Sequence, residues 1–374
     1  MFVVAPSLFG GPPACSAGSF KQRSIPEGVY RSLQAFELKP MPQEPDWARV
    51  EEPPLFTFVW MSDLHLDASQ LDRVRQAFDY VDRVLKPAFV VFTGDNNAHA
   101  PEIPYQGAIP PVSLRRHLFF RQFLKDHLKT PCVVLPGDNW PQDFEKVFGP
   151  FQFSFDYGGM HFLCTALDRC AYGVEGRAVF EESTWQWMEE DLKRNARRPT
   201  LFFMHETIVP PSFLDAERAR AMLESHPNVL GVLCGHVHLD LEFRVGRLKY
   251  FICPGMGPNP RHGMKHAMVY RHAILFRTVE YDESHRRFER VMKWQKIDIP
   301  PELGEELHRP SGGFRKENYR AIPAHPRQSD PSLMNRSSDL FGALMRFFSG
   351  QLTGDNRRQG GSPQGGESSA TDKK

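Results

Sequence analysis

From Leu55 to Ile299 the chain alternates short apolar runs with stretches of helical spacing. "LFTFVWMSD" (ending at Asp63), "AFVVFTGD" (Asp95), "PCVVLPGD" (Asp138), "TLFFMHE" (Glu206) and "VLGVLCGH" (His236) are rich in β-branched and aromatic residues. Each reads as a buried strand. Between them, apolar positions recur with a period of roughly 3.6 residues. They predict helices over Ser69–Leu85, Ser113–His127, Glu182–Asn195 and Asp215–Ser225. "FQFSFDYGGMHFLCTALD" predicts a hairpin turning at Gly158–Gly159, and "LEFRVGRLKYFICP" another turning at Gly246. "AILFRTVEYDESHRRFERVMKW" predicts a closing pair of strands. Strands alternating with helices define an α/β class.

This pattern divides the chain into three parts. Residues 1–54 are a Pro/Gly-rich lead-in, 55–299 the folded domain, and 300–374 a tail. The Gly/Ser-rich end "RQGGSPQGGESSATDKK" predicts disorder. One island in the tail, "SSDLFGALMRFFSG", sets Leu340, Phe341, Leu344, Met345, Phe347 and Phe348 at helical spacing. A short amphipathic helix near 338–349 is expected there. It would dock on its own domain, or on a partner or membrane surface.

Composition narrows the functional classes. A length of 374 residues fits one large domain with extensions. The formal charge of +1 gives no bulk pull toward nucleic acid. No apolar run reaches the roughly 18 residues of a spanning helix. The N-terminus lacks a positive leading region and is interrupted by Pro12–Pro13, so it fits a signal peptide poorly. The six cysteines form no CxxC pair or dense framework, and a reducing cytoplasm is the expected compartment.

The strand ends carry the chemistry. Asp63 and His65 follow the first strand, Asp95 the second, Asp138 the third, His205 the fourth, and His236 and His238 the fifth. In an open α/β sheet, ligands bind beyond the carboxyl ends of the strands, so all seven side chains are expected at one patch. Carboxylate and imidazole without thiolate suit Mn, Fe, Zn or Ni. Seven donors exceed the need of one ion and suit two, with Asp95 able to bridge. Glycine before Asp95, Asp138 and His236 lets the backbone turn sharply and approach the ions.

In order, Asp63-Leu-His65, Gly94-Asp95, Gly137-Asp138-Asn139-Trp140, His205 and Gly235-His236-Val-His238 resemble the motifs of the calcineurin-like metallophosphoesterases. The pattern is most similar to the bacterial branch with cyclic-nucleotide phosphodiesterases. The resemblance implies a four-layer sandwich, two mixed β-sheets packed face to face and flanked by helices. It implies two divalent ions: Asp63, His65 and His238 on one, His205, His236 and the third motif on the other, and Asp95 between. It also implies hydrolysis of a small-molecule phosphoester by a metal-activated water.

The third motif departs from the family's Gly-Asn-His-Asp. Aligned on Gly137, Asp138 replaces the asparagine ligand and Asn139 the histidine that assists the leaving group. In a second register, shifted by a one-residue bulge, Asn139 is the ligand. The extra carboxylate is expected to hold metal tightly and leave it less electrophilic. Asn139 cannot shuttle a proton. His99, His262 and His266 are candidates to replace that function. Trp140 at the mouth is a candidate stacking surface for a base or aromatic leaving group, and Arg261 with Lys265 a source of positive charge for phosphate. A metal-binding but weakly catalytic scaffold or sensor is the alternative reading.

Overall fold

Strand β1, Phe56–Met61, shows how the chain sorts its side chains: Phe56, Phe58 and Trp60 face one core, Val59 and Met61 another. Strand β2, Phe89–Phe92, repeats this with Phe89 and Val91 against Val90 and Phe92. Such alternation buries both faces of a strand, as a sheet covered on two sides requires. The computed structural model describes residues 31, 33–170, 178–208, 213–257, 262–323 and 328–335.

The remaining strands are β3 (Cys132–Val134), β4 (Phe153–Tyr157), β5 (Met160–Cys164), β6 (Arg169–Cys170), β7 (Ala178–Val179), β8 (Thr200–Phe203), β9 (Val229–Cys234), β10 (Leu241–Val245), β11 (Leu248–Ile252), β12 (Gly263–Val269), β13 (Ala273–Asp282), β14 (Arg287–Asp298), β15 (Glu317–Ala321) and β16 (Gln328–Ser329). One sheet has the order β14-β13-β12-β1-β2-β3, the other β10-β11-β9-β8-β5-β4-β15, and a small sheet β16-β6-β7. β1, β2 and β3 run parallel, as do β8 and β9, so their carboxyl ends lie on common edges.

The two large sheets pack face to face through an aromatic interior. Phe58 of β1 meets Phe162 of β5 and Phe203 of β8 edge to face. Helices Leu71–Tyr80 and Val112–His127 cover the outer face of the first sheet through Val74, Phe78, Phe120 and Phe123. Helices Glu182–Arg194 and Ala216–Ser225 cover the second through Trp185, Met188, Leu192 and Leu223. The expected four-layer sandwich is present.

The structure differs from the sequence-based expectation in two strands. "GMKHAMV" forms β12, antiparallel to β1, although Lys265 and His266 lie within it. The chain beyond Ile299, expected to be tail, adds β15 to the edge of the second sheet through pairing with β4. The lead-in also lies along the domain: Leu38 donates to the Asp240 carbonyl, and Ala48 packs near Trp294. The helix expected near 338–349 lies outside the described residues.

Beside β15 sits a buried ionic group. His161 on β5 bonds Asp156 through Nδ1 and Asp191 through Nε2, both at 2.7 Å. Arg320 of β15 reaches the same Asp191 at 2.6 Å, and Asn318 reaches Asp156 at 2.6 Å. These side-chain bonds hold the edge strand β15 to the sheet in addition to its ladder with β4.

Candidate metal centre

All seven expected donors meet where the carboxyl ends of β1, β2, β3, β8 and β9 converge. Three overlapping groups form: Asp63, His65 and His238; Asp138, His205 and His236; and Asp63, Asp95 and His205. Asp95 Oδ2 stands 3.4 Å from Nε2 of His65 and 3.5 Å from Nε2 of His205, midway between the first two groups. His238 Nε2 is 3.1 Å from Asp63 Oδ1. His205 Nε2 is 3.1 Å and His236 Nδ1 3.3 Å from Asp138 Oδ1. This is a set of oxygen and nitrogen donors with no thiolate, the chemistry that suits borderline divalent cations.

Backbone geometry aims the donors. Asp63, His65, Asp95, His236 and His238 all have left-handed backbones, with φ of 51°, 40°, 49°, 72° and 59°. Non-glycine residues adopt this region rarely, Asp and His more readily than most. The loops are knitted together: Asp63 N donates to Gly94 O, His65 N to Asp95 O, and Gly235 N to His205 O. Gly94 has φ 110°, which no β-carbon tolerates easily, and a β-carbon there would fall 2.6 Å from His205 Nδ1. A β-carbon on Gly137 would lie 2.0 Å from Asp95 Oδ1. Glycine before these ligands is therefore a packing requirement.

Sequence reading missed the outer partners. His205 Nδ1 donates to the Thr93 carbonyl at 2.9 Å, which turns Nε2 toward the site. His236 N donates to both Asp63 oxygens at 3.1 and 2.9 Å. Backbone carbonyl and N–H groups leave no mark in sequence pattern, so neither contact is visible there.

The electrostatics of these donors suit a cation. Burial by itself raises the Asp63 carboxyl, but the charges of His238 and His205 outweigh it and hold the group well below the usual carboxylate range. Asp138 is held low in the same way by His236 and His205. His205 is pulled well above its ordinary value: burial opposes the charge, and Asp95 and Asp63 overcome it. The same negative field draws a dication.

The third motif takes the glycine-anchored register, with Asp138 among the histidines. Asn139 is exposed, and its backbone N–H and Nδ2 both donate to Asp95. Trp140 presents its ring edge-to-face to His65, with centroids 5.8 Å apart. Arg261 lies outside the described residues. Lys265 does not face a phosphate: it is fully buried on β12 and bonded to Asp240 and Thr278. The three substitute histidines are engaged elsewhere. His99 packs on Phe119, and His262 bonds the Met256 carbonyl. His266 is buried in β12, where desolvation pushes it down to about 3.

Residues 56–240 match the family model described as calcineurin-like phosphoesterase, and the chain belongs to that family. Among curated proteins it is similar to 3',5'-cyclic adenosine monophosphate phosphodiesterase CpdA of Escherichia coli (strain K12), 30% identical over 139 residues, covering 32% of this chain and 48% of that protein. The corresponding protein of Escherichia coli O157:H7 gives the same values. The chain thus spans about half the length of the curated relatives it matches. Among solved structures, a dimetal phosphatase from Danio rerio superposes with a TM-score of 0.51 at 15% identity, covering 66% of this chain and 99% of that one, a likeness of fold. No helix among the described residues is long and apolar enough to cross a membrane.

Proposed function

We propose that the protein is a dinuclear-metal-dependent hydrolase of small-molecule phosphoesters, either phosphodiesters or phosphomonoesters. The convergence of Asp63, His65, Asp95, Asp138, His205, His236 and His238 carries this reading. Asp63, His65 and His238 would hold one divalent ion; Asp138, His205 and His236 would hold the other; Asp95 would bridge them. Two such ions supply Lewis acidity and a deprotonated water at neutral pH. The donors suit Mn, Fe, Zn or Ni.

The chain's own residues shape the rest. Thr93 fixes the His205 ring through its carbonyl, so Nε2 is presented without a search over tautomers. Asn139 orients Asp95 and also reaches Asp138 at 3.3 Å, but an amide has no proton to give a leaving group. Esters with good leaving groups are therefore the preferred substrates. Asp138, 28% exposed, is the most open of the seven, and substrate enters from its side. The catalytic unit comprises the domain from residue 55 to 299 together with β15. The described free cysteines, Cys132, Cys164, Cys234 and Cys253, favour the cytoplasm.

The test is elemental analysis of purified protein beside a panel of cyclic nucleotides, activated phosphodiesters and phosphomonoesters. Two ions per chain and metal-dependent cleavage are expected, both abolished in Asp95→Ala and His236→Ala. Bound metal without turnover on any substrate would instead support a scaffold or sensor of the same fold.

A further inference from the structure

Trp140 sits between the centre and a cation that nothing in the reading above uses. Its backbone is left-handed, with φ 53°, unusual for so bulky a residue. One edge contact goes to His65; over its face lies the Arg116 guanidinium, with Cζ 5.1 Å from the ring centroid. Arg116 and His65, of the first group of donors, thus share Trp140 as a common neighbour.

Arg116 is fixed in place from the site side. Its Nε donates to the Ala98 carbonyl at 3.3 Å. Its own carbonyl accepts from Asn97 Nδ2 at 2.7 Å, and the same Nδ2 reaches the His99 carbonyl. Asn97 pairs in turn with Leu66, the residue after His65. The loop leaving Asp95 and the loop leaving His65 are therefore both tied to the helix that carries Arg116.

The charge on Arg116 is unanswered. Among the described residues no carboxylate forms an ion pair with it. Partial burial and the neighbouring Arg115 both disfavour its charge, with no acid offsetting them. An arginine held rigid, half desolvated and without a counter-ion is a fork that awaits an oxyanion. No hydrogen bond or ion pair joins Arg116 to any of the seven donors among the described residues, and its link to them runs through the indole, so the anion it suits is a second group on the ligand.

We infer that Arg116, seated on Trp140, forms a second anion subsite that selects phosphoesters bearing a further carboxylate or phosphate several bonds from the reacting phosphorus. This rests on the hydrolase reading above. Trp140 then acts as a spacer: with one face covered by Arg116, it sets the distance between the two anions.

The experiment compares two non-hydrolysable ligands, phenylphosphonate and 4-phosphonobenzoate, which differ by one carboxylate. Each is titrated calorimetrically into manganese-loaded protein of verified metal content, wild type, Arg116→Ala and Arg116→Lys. Wild type is expected to prefer 4-phosphonobenzoate roughly tenfold, the scale of one charge-assisted contact. The preference should vanish in Arg116→Ala and persist in part in Arg116→Lys, with bound metal unchanged. Equal affinity of wild type for the two ligands, no binding of either, or a preference that survives Arg116→Ala overturns the subsite. Hydrolysis of 4-nitrophenyl phosphate and bis(4-nitrophenyl) phosphate is followed in the same preparations. Absence of both activities overturns the hydrolase reading; either activity alongside equal phosphonate affinities overturns the subsite alone.

Discussion

Oδ1 of Asp138 lies 3.1 Å from Nε2 of His205, although the two residues leave different sheets. That contact puts a carboxylate where the family's motif has asparagine, and leaves Asn139 where it has histidine. The double substitution Asp138→Asn with Asn139→His should therefore loosen metal and restore a proton donor. Hydrolysis of esters with poor leaving groups should rise about a hundredfold, the low end of general acid catalysis, while activated esters change little. Steady-state kinetics on a series of aryl phosphates of graded leaving-group pKa checks this; a slope equal to wild type would refute it.

Gly137→Ala tests how closely the third loop must approach the second. The new β-carbon would meet both Oδ1 and the backbone nitrogen of Asp95, and backbone cannot step aside. A displacement of that size costs about a hundredfold or more in rate. Metal content per chain should fall with it, while far-ultraviolet circular dichroism stays native.

Lys265, Asp240 and Thr278 form a closed polar group in the sheet interior. Lys265 bonds Asp240 and reaches Thr278 Oγ1 at 2.8 Å; Thr278 donates to Asp240 Oδ2 at 2.7 Å. Lys265→Met leaves a buried carboxylate without its counter-ion, and should cost about 3–5 kcal/mol. Adding Asp240→Leu should recover most of that loss. Chemical denaturation of the single and double variants measures the difference, and an undiminished single variant would contradict the pairing.

His161 gives a pH signature far from the metal donors. Burial opposes its charge, but the hydrogen bonds it donates to Asp156 and Asp191 outweigh this, and its folded pKa is raised above the ordinary value. Stability from this group is full below about pH 6.5, the unfolded value, and is lost as pH climbs through the raised folded value. The Asp156 carboxyl is lowered: burial opposes this, and bonds to His161 and Asn318 prevail. Its contribution is present above the unfolded carboxylate value and disappears as pH drops through the folded one. Melting temperature should thus plateau between these limits and decline on the alkaline side. His161→Gln should flatten the alkaline decline, and thermal melts from pH 5 to 9 would reveal it.

The sequence made the centre legible because each ligand follows an apolar run, and a run of four to six such residues has few other places to go. β12 was hidden for the opposite reason. Lys265 and His266 break its apolar pattern, and their partners Asp240, Thr278 and Arg277 are distant in sequence or on another strand. β15 carries the exposed, charged residues of an edge, and the partners of its inward-reaching Asn318 and Arg320 are more than a hundred positions away. The register of Gly137–Trp140 needed coordinates, since one residue of slack exchanges Asp138 for Asn139. Arg116 gave no signal at all: its link to Trp140 joins two places 24 positions apart through a ring face.

Five of the candidate ligands hold backbones that most side chains avoid, at a cost of order 1 kcal/mol each. Glycine at those positions would relax the turns and erase the donors in the same stroke. For a descendant no longer selected for metal chemistry, decay of this centre runs downhill in folding free energy. Sturdier, silent cousins of this chain are then what drift should produce, and keeping the donors requires that selection go on asking for them.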